Sequence, residues 1–560
     1  MAAAWRRLAP GAARALAGGG GPAAPLAPRG GRGLTTLPAA ANQAAGLAEY
    51  AEAFLHGGAG RPGAATLRRT ALFFTDAMLC GASALALRTN APTVLRREAL
   101  SYRAAVPAGA AGGATVFGSA AAVEPEKAVL ANGAAVREWD SNGTNFGFNP
   151  ALGHTAGEFG HNDYYSVVVA ACQQAGRDGA FALRAMVLLD EIRGRLGEVF
   201  SLKSYKIDHV LHGAVASAVV YGAILGASPA QIESAVGMTV AHYVPFRAIR
   251  AGKQLSDSKG ASAAISSEAA VLAVRRSMNG FRGPKDIFRN PEAVYRLFEG
   301  PGQMLQKVGA ADADLGPAYA SPFDLVLHEE GDDFAVMGMH FKLGIYEHQS
   351  AGALQAVQDL FAAAPELMGA ADGSAIARIN IVAYEPAYGI IGDPAKKDPT
   401  TRQSADHSMA YIVATLIRRA LEGGRLGWKE LMLSPYDYGR EAIYHPVTRS
   451  LMEKIHFEHG GPEYDARYPD GIPTSMVITD AAGETHDSGL VMYPAGHARN
   501  TTADLNDILN HKFQLMGGLA FDEPGPLIEK FMNVGSLSAE ELRGLNDFAI
   551  KENTDFEDLG

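Results

Sequence analysis

Cysteine is nearly absent: Cys80 and Cys172 are the only two among 560 residues. Two cysteines cannot make a disulfide framework, and they fall short of the three or four thiolates that an iron–sulfur cluster normally takes. Long uninterrupted apolar runs are lacking too. Stretches such as HGAVASAVVYGAILGAS, opening at His212, are short and carry Ser and Tyr, so they read as tightly packed core helices and not as membrane spans. Nor is there a basic excess. The formal net charge is −11, which leaves no stripe of Lys and Arg to neutralise phosphates and argues against a nucleic-acid partner. The chain has no GxSxG, no HExxH, no P-loop and no CxxC. The run GAGRPG, from Gly58 to Gly63, fits GxGxxG, but it contains Pro62 and follows no strand, so it does not read as a dinucleotide site. His209 and His212 stand three apart without an identifiable third ligand, and no metal is expected.

Acidic residues are missing from the first 48 positions, where Arg6, Arg7, Arg14, Arg29 and Arg32 are interleaved with Ala, Leu and Gly. Such a segment resembles a mitochondrial transit peptide. Residues 1–45 are therefore expected to be a transit peptide or disordered leader, with the mature chain in the mitochondrial matrix.

What is present suits a large enzyme: 48% hydrophobic and 19% charged residues, in a chain too long for a single core. From residue 46 to 322 the pattern is helical. AAVEPEKAVLANGAAVREWD places Pro125 in a first turn and Asp140 just past a helix C-terminus. In GASPAQIESAVGMTVAHY, Ser228 and Gln231 have the spacing of a capping box, and the helix runs toward His242. From 323 to 505 the character shifts. ARINIVAY alternates, with Ile379 and Ile381 on one face, and TSMVITDAAGETHDSG predicts a hairpin turning at Ala481 to Gly483. Residues 506–560 return to helix, with a second capping box at Ser538 and Glu541. The expected fold is mostly α: a large helical domain interrupted by a smaller α+β lid domain.

Polar islands stand out against this apolar background: WDSNGT and FGHNDYYS, KIDHVLHGAVASA, FRAIRAGKQLSDSKGASAA, FKLGIYEHQSAGA, ADHSMAY and YPAGHARN. Singly, each has an ordinary structural explanation. His209 at the start of an apolar helix suits a satisfied core histidine, and the Arg/Lys run around Arg247 suits a solvated face. Together and in this order they resemble the MmgE/PrpD family, over roughly Gly46 to Asp547. The family's Asp-x-Asn-Asp-Thr element is similar to DSNGT, which matches Asp140, Asn142 and Thr144, with Gly143 in place of the second acid. Its following histidine matches His161, with His154 as a rival because the intervening segment is longer. Its Leu-Asp-His-Val resembles IDHV, at His209. Its helix-opening lysine matches Lys259, while comparison with the family's cis-aconitate decarboxylases points to Lys253. The later segments give His348, Tyr411, His497 and Arg499.

The resemblance implies a cofactor-free, homodimeric enzyme acting on a small tricarboxylate. Its expected reaction removes water from 2-methylcitrate. Decarboxylation of cis-aconitate to itaconate, or tricarboxylate binding without catalysis, are the alternatives. The substrate's carboxylates need cationic partners, for which Arg247, Arg250 and the lysines are candidates. The departing hydroxide needs a general acid and the weakly acidic C–H a base, the usual work of histidine near neutrality. The resemblance therefore assigns Asp140, His161, His209, Lys253, Lys259 and Tyr411 to catalysis, with Asp140 orienting an imidazole. It assigns Asn142, Thr144, His212, Arg247, Arg250, His348, His497 and Arg499 to substrate binding.

Overall fold

The computed structural model describes residues 33–105, 112–250, 255–290, 293–297 and 320–559. Most of the expected leader, 1–32, lies outside these residues. Its end behaves differently from expectation: Leu34–Leu37 forms strand β1, antiparallel to β2 (Leu325–His328). The two threonines of LTTL favour extended chain, and Leu37 is buried, so this segment belongs to the fold.

The fold is mostly helical, with a few small sheets. Among the described residues, nine helices longer than ten residues precede β2: α1 (Gln43–Leu55), α2 (Ala64–Ala86), α3 (Asn90–Ser101), α4 (Pro125–Arg137), α5 (Tyr165–Ala175), α6 (Gly179–Val199), α7 (Val210–Ile224), α8 (Pro229–His242) and α9 (Asp257–Met278). Pro125 opens α4, and Ser228 with Gln231 caps α8 in a reciprocal capping box, both as the sequence predicts. Every residue of α7 is buried, as an all-round apolar helix demands. Helix α9 packs between α4, α7 and α8. Small side chains set that spacing: a Cβ on Gly133 of α4 would already stand 3.2 Å from Ala264 of α9. Leu130, Ala134, Ala261 and Ala264 form a small buried cluster between the same two helices. Among the described residues no single helix is long and apolar enough to cross a membrane.

The largest sheet lies further along the chain. Strands β3 (Ile376–Ala383), β4 (Ile455–His459), β5 (Thr474–Asp480) and β6 (Thr485–Asp487) are ordered β4-β3-β5-β6, with the β3/β4 pair parallel and the other two antiparallel. Ile379 and Ile381 are buried, and the hairpin turns where expected. Helix α10 (Ala351–Ala363) covers this sheet. The chain then returns through α11 (Leu505–Ala520), which packs on α2.

One buried cation fastens that return. Lys512 on α11 pairs with Asp76 on α2 at 2.6 Å and donates to the carbonyls of Ser141 and Lys342 at 2.7 and 2.8 Å. Nearby, Thr144 exchanges backbone hydrogen bonds with His340, at 3.0 and 2.7 Å. Four chain segments distant in sequence, around Asp76, Ser141, Lys342 and Lys512, are thereby held at one place.

At Gly213, on α7, a Cβ would overlap the buried ring of Tyr164. Gly213→Ala should lower stability by about 1–3 kcal/mol through overpacking. Chemical denaturation of variant and wild type should show this as a reduced midpoint with unchanged slope; an unchanged midpoint would mean the ring yields freely.

Candidate active site

Asp140 follows α4 by a single turn, in the left-handed region (φ +49°) that non-glycine residues seldom adopt. That turn throws its side chain, fully buried, among three cationic side chains and an imidazole. Arg137 Nη1 approaches Oδ1 at 2.5 Å, and the Lys342 ammonium hydrogen-bonds the same oxygen. His407 Nε2 lies 3.1 Å from Oδ2, and Lys259 Nζ lies 3.6 Å away. Burial alone would raise the Asp140 pKa. Arg137, Lys342, Lys259 and His407 outweigh it and hold the carboxyl well below the usual range. Asp406 forms a second pole, 3.1 Å from Lys259 Nζ and 2.5 Å from His407 Nδ1.

Asp140, Asp406 and His407 offer ligand atoms within 4.8 Å of one another. The donor set fits a divalent cation poorly, because the Lys342 and Lys259 ammoniums already sit on the same two carboxylates. A metal there would have to displace buried positive charge.

Beside this cluster stand the imidazoles. The strand pair Thr144–Asn145 and Gly160–His161 sets Thr144 opposite His161. His161 meets His209, the residue before α7, with ring centroids 5.3 Å apart. Of the two histidines the sequence leaves open, His161 thus faces His209, whereas His154 pairs with Glu198 at 3.1 Å. His161 Nδ1, both ring nitrogens of His209 and both of His348 are buried without a hydrogen-bond partner among the described residues. Unmade bonds of this kind cost about 1–3 kcal/mol each, so they mark where a polar ligand is favoured. Burial holds all three imidazoles neutral, their pKa values well below 6.5. Arg137 and Lys342 add to this at His161, Arg250 and Arg137 at His209, and Lys342 at His348. Burial lowers Lys259 and Lys342 as well, against the pull of their carboxylates.

The other expected residues are placed variously. The carboxylate beside His209 is Asp208, 3.2 Å from Nδ1, while the imidazole beside Asp140 is that of His407. Arg250 grips Asp208 through Nε and Nη2 and is thereby occupied. Arg247 keeps a buried Nη1 without a partner among the described residues. Asn142 donates to the Asn162 carbonyl and to Asp163 at 2.9 and 2.6 Å, and Thr144 to the Gly160 carbonyl at 2.7 Å, so both tie the loop together. His212 bonds the Phe200 carbonyl at 2.9 Å, and Tyr411 donates to the Asp437 carbonyl at 2.6 Å. His497 packs at a tilt against His340, 4.1 Å between centroids, and His340 stacks on His348, 5.4 Å, while Arg499 pairs with Asp470. Lys253 lies outside the described residues. Reading the sequence alone misses Arg137, Lys342, Asp406 and His407. Lys342 and His407 stood in segments already singled out, and the signal was a lone cation or imidazole amid residues that bury.

Glu347, adjoining His348, is 6% exposed, and burial with the nearby Asp140 pushes its carboxyl up from 4.5 to about 7, against Lys342. Between those values the unfolded chain releases a proton that the folded chain keeps. Stability therefore falls as pH rises through the window, by at most ~1.4 kcal/mol per pH unit, and the loss is complete above pH 7. Glu347→Gln should flatten this decline relative to wild type in denaturation curves taken from pH 4.5 to 7.5. Parallel curves would show that Glu347 ionises normally.

Known proteins share this sequence pattern. The MmgE/PrpD N-terminal domain matches residues 45–306 and the MmgE/PrpD C-terminal domain residues 348–524. The 2-methylcitrate dehydratase of Salmonella typhimurium is 25% identical over 424 residues, covering 72% of this chain and 77% of that protein. That of Escherichia coli K12 is 26% identical over 409 residues, covering 69% and 74%. With both domains matched over most of its length, the chain belongs to the MmgE/PrpD family.

Proposed function

We propose that this chain is a hydro-lyase that eliminates water from 2-methylcitrate to give 2-methyl-cis-aconitate, by general acid–base chemistry and without an iron–sulfur cluster. The observation that supports it most directly is a buried Lys342 ammonium, sharing Asp140 with Lys259, close enough to His161 and His348 for its charge to lower the pKa of both buried imidazoles. The relatives with the same printed activity support the substrate.

In this reading one of His161 and His209 takes the proton from the carbon beside a carboxylate. The electron pair left behind forms the C=C bond as the C–O bond breaks, and the departing hydroxide gains a proton from an acid to leave as water. A neutral imidazole is competent as that base, and burial keeps it neutral. Lys259 and Lys342 stabilise the negative charge that develops on the substrate, in a place where little water screens it. Burial lowers the Lys259 pKa, which also suits it to the role of acid. Asp140 holds the cations together. The acid-free leader supports a location in the mitochondrial matrix, and a homodimeric state belongs to the same proposal.

The test is turnover by the full chain, dialysed against a chelator, with 2-methylcitrate, citrate and cis-aconitate. The expected result is an unsaturated tricarboxylate from 2-methylcitrate. Itaconate from cis-aconitate would assign a decarboxylase instead, and tight binding without turnover a non-catalytic homologue. His209→Gln should reduce kcat/KM by roughly 10²–10⁴; a wild-type rate would remove His209 from the mechanism.

A further inference from the structure

Outside the buried cluster, residues 145–151 and segments near 469 and 498 enclose a cleft of about 330 Å³, a volume within the range of small-molecule sites. His340, His497 and Arg499 line it. It adjoins the buried cluster through a run of ring contacts, since His340 packs at a tilt on His497 and stacks on His348.

The tautomers of its two imidazoles are fixed by backbone amides. Ala498 N–H donates to His340 Nδ1 at 2.9 Å, and Arg499 N–H donates to His497 Nδ1 at 3.1 Å. A ring nitrogen that accepts carries no hydrogen, so each neutral imidazole bears its hydrogen on Nε2. Burial keeps both rings neutral, with His497 pushed down to about 3. His497 is 3% exposed, yet its Nε2 has no partner among the described residues. The two carboxylates lining the cleft are engaged. Asp470 takes Arg499 on one oxygen and the Tyr493 hydroxyl, at 2.6 Å, on the other. Glu198 takes Arg195 at 2.8 and 3.0 Å and His154 at 3.1 Å. What remains is a fixed, unpartnered N–H donor on His497, beside a guanidinium that shares its charge with Asp470. That is the chemistry of a carboxylate receptor.

We propose that this cleft is a second, outer binding site for a carboxylate anion, seated on His497 Nε2–H and flanked by His340 and Arg499, separate from the buried site around Asp140. The identity of the anion as a tricarboxylate rests on the dehydratase reading; the site itself does not. A substrate held there is one histidine ring away from His348, which feels the charges of Lys342 and Asp140, so the cleft serves as the vestibule through which substrate is collected.

The probe is tricarballylate, a tricarboxylate that lacks the hydroxyl and cannot be dehydrated, titrated calorimetrically into the full chain. Two binding events per chain are expected. His497→Phe, which fills the ring's space but offers no N–H, should weaken one event roughly tenfold or more, the loss of one charge-assisted hydrogen bond. His497→Gln, which restores an amide donor, should recover most of that loss, and Lys259→Met should remove the other event. Should His497→Phe fail to fold, Arg499→Gln reads the same outer event. A single event in wild type, or two events that neither outer variant alters, would overturn the proposal while leaving the dehydratase reading intact. An outer event that depends on His497 in a protein that does not turn over 2-methylcitrate would do the reverse.

Discussion

A carboxylate kept ionised away from water governs this molecule. Asp140 is fully buried, follows the C-terminal turn of α4, where the helix dipole disfavours negative charge, and holds a left-handed backbone conformation. Each of those costs free energy. Together they are sustainable only because Arg137, Lys259, Lys342 and His407 converge on one side chain. Buried pairs of this sort add little net stability by comparison with a well-packed apolar core, yet removing one partner is expensive. The cluster therefore constrains where its contributors must lie more than it holds the protein folded.

The surrounding fold is arranged to meet that constraint. Small residues along α4 and α9 let the helices approach closely enough for Lys259 to reach Asp140. Lys512 and the Thr144–His340 pairing pin the segment carrying Lys342 against the loop carrying Asp140. The cluster thus draws on the helices and on the part of the chain that follows β2, so neither part holds its charged groups alone. Dense packing has a second effect. It desolvates the imidazoles and keeps them neutral, where exposed histidines would titrate near neutrality.

Much of this was legible locally. Pro125 and the apolar spacing after it announced α4, and hence the position of Asp140 beyond its end. Ser228 with Gln231 announced the start of α8, and the alternation in ARINIVAY announced β3. The polar islands were visible because hydrogen-bonding side chains are conspicuous in an Ala-, Val- and Leu-rich chain. Their division of labour was not visible. Arg250 reads as a free cation until Asp208 is seen to occupy it, and Asn142 and Thr144 read as ligands until their bonds close within the loop.

The sequence by itself determined the helices, their caps, the hairpin, the scarcity of thiols and the set of residues from which a site could be drawn. Those properties depend on neighbours a few positions apart, where backbone geometry dictates what touches what. Only the tertiary structure decided that Lys342 meets Asp140, 202 positions away, that His161 and not His154 faces His209, and that Leu34–Leu37 closes onto β2. Contacts at such separations follow from how whole helices and strands pack, and Coulomb energy between buried groups is sensitive to ångström-scale differences in that packing.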